Sequence, residues 1–159
     1  MVKISPLSLY IINRVVYRLY VLGILQSKFS LILDKRDTYV NNVKNENMDA
    51  VFNPIDFPSI ASALDWEIHD LLPPDNSPYS DGTLVDKVVF SLNNPSDAEE
   101  VIMGMKDIGY FKKEKSLNDI FEHLYLTENM SEKRKVITEL LEKLVSNNIL
   151  ELNKGKYLA

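Results

Sequence analysis

The strongest hydrophobic pattern lies in the last third of the chain, where apolar residues recur at helical spacing over residues 132–146. They form one broad stripe, which predicts an amphipathic helix. A shorter helix is predicted over residues 117–126 by the same spacing. Residues 149–152 and 156–158 then predict two short strands, which a tight turn containing glycine joins into a hairpin.

The region before these helices completes a familiar order of elements. Residues 83–92 predict a strand, because their centre is β-branched and aromatic. A helix is predicted over residues 97–107, opened by the capping-box residues Ser96 and Glu99. A strand, three helices and a terminal hairpin match the order of a winged-helix module, which we therefore predict over residues 83–159.

Residues 6–25 are the most apolar stretch and predict a helix whose stripe covers most of its circumference. Arg14 and Arg18 lie in its middle and disfavour a membrane span. A helix of this kind needs cover from more than one side, so it is either a core helix of this chain or a helix that docks on a partner subunit. The side chains that widen the stripe and would dock are Tyr10, Tyr17, Tyr20, Val21 and Ile24.

Between this helix and the winged-helix module the pattern is less regular. Residues 29–40 predict a hairpin, and a continuing helix is the alternative. Ser59 starts a predicted helix that two prolines stop before residue 75. Residues 74–82 are rich in turn formers and predict a linker. The expected fold is therefore mainly α with a small β component (α+β), with a helical N-terminal segment over residues 1–73.

The composition excludes several classes of functional site. The sequence has no cysteine and only two histidines, which excludes disulfides, thiolate catalysis and a metal site rich in cysteine or histidine. Asp65 and His69 are four residues apart, but no third ligand or nucleophile is spaced to join them. The five glycines form no phosphate-binding loop. We expect no catalytic residue, no metal, no cofactor, and a cytoplasmic protein without a membrane segment.

The net charge of −5 is unevenly distributed. Residues 1–44 carry seven Lys or Arg against two acids, residues 45–102 one lysine against twelve acids, and residues 103–159 ten bases against nine acids. In a DNA-binding module of this kind the last helix enters the major groove and the wing contacts phosphate. The basic residues in those places are Lys133, Arg134, Lys135, Lys154 and Lys156. Three glutamates share the helix, so DNA binding is the second choice.

Several short motifs resemble the leader-peptide recognition element of ribosomal-peptide-modifying systems. They are Leu92-Asn93, residues 98–105, Ser116-Leu-Asn-Asp119-Ile120, residues 136–144 and Asn148-Ile-Leu-Glu151. Members of that family bind a precursor's leader as an extra strand beside the last helix. The resemblance implies a strand edge at Lys87, Val88, Val89, Phe90 and Leu92, and a groove wall at Lys135, Thr138, Glu139 and Glu142. That family's fold opens with a three-stranded sheet, whereas this sequence predicts one strand before Ser96.

We therefore expect a non-catalytic binding or adaptor subunit that docks on a larger enzyme or on a second copy and recognises a peptide or protein through its winged-helix module. The alternative is a transcription regulator that dimerises through residues 6–25 and binds DNA with residues 132–146. A third hypothesis is an acidic immunity or inhibitor protein whose middle segment covers a basic partner.

Overall fold

The computed structural model describes residues 1–74 and 82–159, which form two compact units. The first unit consists of Met1–Leu19 and Ile24–Phe90, and the second of Tyr20–Gly23 and Ser91–Ala159. The second unit thus starts at Ser91 rather than at residue 83, and it includes a short piece from the beginning of the chain. All but the two end residues of the predicted linker at 74–82 lie outside the described residues.

The first unit is mostly helical. Its elements are β1 (Lys3–Ile4), α1 (Pro6–Leu22, of which the last three residues group with the second unit), α2 (Gln26–Ile32), α3 (Tyr39–Lys44), α4 (Phe57–Ala63), α5 (Ile68–Leu71) and β2 (Val85–Asp86), with a 3₁₀ turn at Pro54–Asp56. β1 and β2 pair antiparallel, with Lys3 opposite Asp86. The first unit therefore has a helical core and one minimal sheet.

Burial identifies α1 as a core helix. Its inward residues are almost completely buried: Ile11, Ile12, Val15, Val16 and Leu19. Of the predicted docking residues, Val21 is 0% exposed, and Tyr10, Tyr17, Tyr20 and Ile24 are half-buried. Burial raises the pKa of Tyr20. The predicted docking residues are therefore largely covered by other residues of this chain, and a partner subunit cannot reach Val21.

The hairpin predicted over residues 29–40 is wrong, because this stretch contains the end of α2 and the start of α3. The continuing helix of the alternative is interrupted at residues 33–38. The hydroxyl of Ser30, which is buried, donates to the Gln26 carbonyl oxygen and accepts the Val40 N–H at 3.1 Å. This serine therefore links the two helices through a polar contact that hydrophobic periodicity does not reveal. The helix predicted from Ser59 is also two helices, because the chain turns at Asp65, where φ is 55°.

The second unit has the element order of a winged helix. Its elements are α6 (Pro95–Asp107), β3 (Lys115–Ser116), α7 (Leu117–His123), α8 (Ser131–Ser146), β4 (Glu151–Asn153) and β5 (Lys156–Leu158), with a 3₁₀ turn at Tyr110–Lys112. The strands form an antiparallel sheet in the order β3-β5-β4. The expected class, mainly α with a small β component, is confirmed, with 55% helix and 8% strand.

The first strand of the winged helix is not the one that the sequence predicted. Within residues 83–92 only Val85–Asp86 is a strand, and it pairs with β1. The strand that joins the wing is β3, between α6 and α7. A strand of two residues is too short to show an alternating hydrophobic pattern. β3 forms because it pairs with β5, about forty residues later in the chain.

The end of α1 contacts α7 within the second unit. Gly23 follows α1 with a φ of 67°, and the His123 ring lies where a β-carbon on Gly23 would be, with ring atoms 2.6 to 3.0 Å from that position. The His123 Nε2 atom lies 2.9 Å from the Val21 carbonyl oxygen, so this nitrogen carries the hydrogen. The Tyr110 ring packs on the imidazole at 4.5 Å between centroids.

Candidate binding surface of the winged-helix module

The predicted strand edge at residues 87–92 is part of the first unit's packing. Lys87 is completely buried, and its Nζ atom donates to the carbonyl oxygens of Met48 at 2.7 Å and Ala50 at 2.8 Å. Burial lowers the pKa of Lys87, and the carboxylates of Asp49 and Glu46 oppose that shift. Val89, Phe90 and Leu92 are buried as well, whereas Val88 is exposed.

The backbone of this segment has partners within the chain. The Lys87 and Val88 N–H groups donate to the carbonyl oxygens of Val2 and Asp86. The Val89 N–H donates to a Glu46 carboxylate oxygen, and Asn13 accepts the Phe90 N–H while donating to the Val88 carbonyl oxygen. These contacts leave no free sheet edge at residues 87–90, so the predicted place of strand addition is wrong.

Arg134, one of the predicted DNA contacts, has a structural role. Its Nε and Nη2 atoms donate to the Leu126 carbonyl oxygen at 3.1 and 2.8 Å, and its guanidinium carbon lies 4.6 Å from the centre of the Phe121 ring. The guanidinium group therefore holds the loop between α7 and α8 in place. A phosphate group would have to compete with these contacts.

The solvent-facing side of α8 is acidic. Glu132, Lys135, Glu139 and Glu142 are exposed at spacings of three and four residues, so they share one face. Lys135 lies 3.8 Å from a Glu139 oxygen. Lys143, exposed on the same face four residues after Glu139, lies 2.8 Å from a Glu99 oxygen of α6. Thr138 and Lys133 are half-buried beside this face. The face that would enter a DNA groove thus presents three carboxylates and two ammonium groups, and each ammonium group is paired with a carboxylate.

The wing is a two-residue hairpin. Lys154 and Gly155 have φ values of 48° and 77°, which match a type I′ turn. Lys154 and Lys156 are exposed, as the sequence predicts for a wing. In the described part of the chain β4 is the outer strand of the sheet, and its Leu152 side chain is 53% exposed. Sequence reasoning placed Leu152 in the hairpin but did not select it for binding.

A second concave surface lies in the first unit. It encloses about 560 Å³ beside Trp66 and is lined by Asp65, Glu67 and Asp70 among others. The guanidinium carbons of Arg14 and Arg18 lie 4.7 and 5.0 Å from the Trp66 ring centre. Arg18 also donates to the Leu64 carbonyl oxygen. Trp66 therefore packs against the chain's own arginines.

Over residues 1–74 and 82–159, no three histidine or carboxylate side chains are grouped so that they could hold a metal ion. In the same ranges no single helix is long and apolar enough to cross a membrane. The pair Pro6–Leu22 and Gln26–Ile32 meets that length and composition criterion only together, across a bend of 108°.

Comparisons with protein-family models, with curated protein sequences and with solved structures find no match to this chain.

Proposed function

We propose that this chain is a non-catalytic binding subunit whose winged-helix module recognises a peptide or protein partner in the cytoplasm. The acidic solvent face of α8 carries this proposal, because it suits a basic protein surface or peptide and repels phosphate. The sequence resemblance to leader-peptide recognition elements favours a peptide presented to a larger modifying enzyme. A short precursor gene and an enzyme gene beside the gene for this chain would support that context.

The test is a charge reversal on α8. The wild-type chain is used to isolate its partner from the source cells, and the same isolation is repeated with the double variant Glu139→Lys, Glu142→Lys. The partner should be lost, because two attractive charges become repulsive. The control is Glu100→Lys with Asp107→Lys, which reverses two exposed charges on α6. Equal recovery with both variants, or no partner with the wild-type chain, contradicts the proposal.

DNA binding is the second candidate, and the exposed Lys154 and Lys156 of the wing favour it. It is weakened by the internal contacts of Arg134 and by the glutamates of α8. A mobility-shift experiment with duplex DNA at rising salt separates the two functions. DNA binding that weakens with salt and disappears in the variant Lys154→Glu, Lys156→Glu would replace the first proposal.

The acidic inhibitor hypothesis loses support from the same contacts that hold the first unit together. Many carboxylates of the acidic middle segment already have partners within the chain: Glu46, Asp56, Asp70, Asp86, Asp97 and Glu99. Their charge is used internally, which leaves fewer carboxylates to cover a basic partner.

A further inference from the structure

We propose that a small cavity in the first unit binds a neutral molecule of the size of one aromatic ring. This goes beyond the proposed function, because the cavity lies outside the winged-helix module and takes a different class of ligand. The cavity encloses about 130 Å³ between the start of α1 and the segment that runs from residue 51 to the start of α4. Among the described residues, no charged side chain lines it.

The walls of the cavity are apolar and held by packing. α1 supplies Ile11, and the segment after residue 50 supplies Phe52, both of which are almost completely buried. The Phe52 ring packs edge-on against Tyr39, with 6.0 Å between the ring centroids. Phe57, at the start of α4, gives the cavity a second aromatic wall. These walls are in place without a ligand, so binding requires little reorganisation.

The cavity opens to solvent past two apolar side chains. Leu7 of α1 is 38% exposed, and Pro54 is exposed as well, and both belong to the lining. A ligand can therefore enter without unfolding of the first unit.

Ser8 is the one polar side chain that the described part of the chain contributes to the lining. The Ser5 hydroxyl accepts the Ser8 N–H at 3.1 Å and donates to the Ser8 hydroxyl oxygen at 2.9 Å. A confined water molecule typically needs about three hydrogen bonds, and the side chains of the lining offer it this hydroxyl alone. An apolar ligand therefore competes well with water for the cavity.

Size and polarity together define the ligand. A cavity of about 150 Å³ with leucine, isoleucine and phenylalanine walls binds benzene, and this cavity is of nearly that size. The two phenylalanine walls favour an aromatic ring through edge-to-face contacts. A charged group would lose its hydration and find no opposite charge in the lining, so the ligand is neutral.

The test titrates the ¹⁵N-labelled full chain with benzene, and in parallel with benzoate as the charged counterpart. Benzene should give saturable ¹H–¹⁵N shifts at the amides of Ser8, Ile11 and Phe52, and benzoate should bind at least about tenfold more weakly. Ser8→Leu fills the cavity and keeps the Ser8 N–H that Ser5 accepts, so it should abolish the benzene shifts. Ser96→Leu makes the same change at an exposed residue of α6 and should leave them intact.

Benzene shifts that do not saturate would overturn the proposal, as would unchanged binding by a folded Ser8→Leu variant. If that variant does not fold, the two ligands decide on the wild-type chain alone, and equal affinity for benzene and benzoate overturns the proposal. Tighter binding of acetyl-phenylalanine-amide than of benzene would also overturn it, because the cavity would then hold a side chain of a protein partner. The charge-reversal experiment on α8 tests the proposed function separately.

Discussion

At the residue scale, the position of Gly23 leaves no room for a β-carbon. Its φ of 67° costs a residue with a β-carbon about 1–2 kcal/mol, and the His123 ring occupies the space that the β-carbon needs. We expect Gly23→Ala to lower the free energy of unfolding by about 2–4 kcal/mol in urea denaturation.

Gly155→Ala is the matched control for this substitution. Gly155 has a φ of 77°, and nothing lies within 4 Å of its β-carbon position. The free energy of unfolding of Gly155→Ala should fall only by the cost of the positive φ for a residue with a β-carbon, about 1–2 kcal/mol. Equal losses at the two glycines would show that the ring contact contributes nothing.

His123 makes the stability of the second unit depend on pH. Burial is the main cause that lowers its pKa below the ordinary value of 6.5, and the Lys115 charge lowers it further, while hydrogen bonds to the Val21 and Tyr20 carbonyl oxygens oppose this. The folded chain therefore binds fewer protons at this site than the unfolded chain. Stability should be full above pH 6.5 and should fall as the pH drops through 6.5 and then through the lowered pKa.

The measurement is the urea midpoint between pH 7.5 and 5. His123→Gln should flatten the decline in this window. An unaltered slope in the His123 variant would assign the pH dependence to other groups.

At the scale of elements, the hairpin turn can be improved. Lys154 has a φ of 48°, a conformation that asparagine adopts more readily than lysine, and Asn-Gly is a preferred type I′ pair. Lys154→Asn should raise the free energy of unfolding by about 0.5 kcal/mol, measured as a higher melting temperature. Lys113→Asn, at an exposed residue with a φ of −111°, should give no increase.

The elements also show what the sequence could and could not predict. α8 was predicted almost to the residue, because its apolar stripe is long and local. The capping box predicted at Ser96 and Glu99 is wrong, because α6 begins at Pro95 and the side chain of Asn94 caps it by accepting the Ser96 N–H. The capping box in the second unit is at Ser116 and Asp119, at the start of α7. The β-branched and aromatic residues at 87–90 suit a strand, but distant side chains such as Asn13 and Glu46 bind this backbone instead.

Part of the candidate binding surface was predictable, because it lies on α8, whose hydrophobic pattern is long and local. The resemblance to leader-peptide recognition elements implies a groove wall that includes Glu139 and Glu142, and both residues share the exposed face of α8. The outer position of β4 was not predicted, because the order of strands in a sheet depends on contacts between β3 and β5 that no local pattern encodes. An exposed leucine in a three-residue strand was the available signal.

At the scale of the whole molecule, the second unit is discontinuous in sequence. It needs Tyr20–Gly23 as well as Ser91–Ala159. A fragment of residues 91–159 lacks the Val21 carbonyl and the Gly23 surface that His123 contacts. We expect this fragment to unfold at clearly lower urea than the full chain, as followed by the ¹H–¹⁵N signals of α7. A fragment as stable as the full chain would show that these four residues add nothing.

The same discontinuity sets an order of events during synthesis. Val21 and His123 are 102 residues apart, so at about 5–20 residues per second the ribosome makes one roughly 5–20 s before the other. For that interval the end of α1 lacks its contact with the imidazole. The end of α1 therefore completes its packing only after residue 123 has emerged from the ribosome, and a nascent-chain chaperone would meet that apolar end uncovered until then.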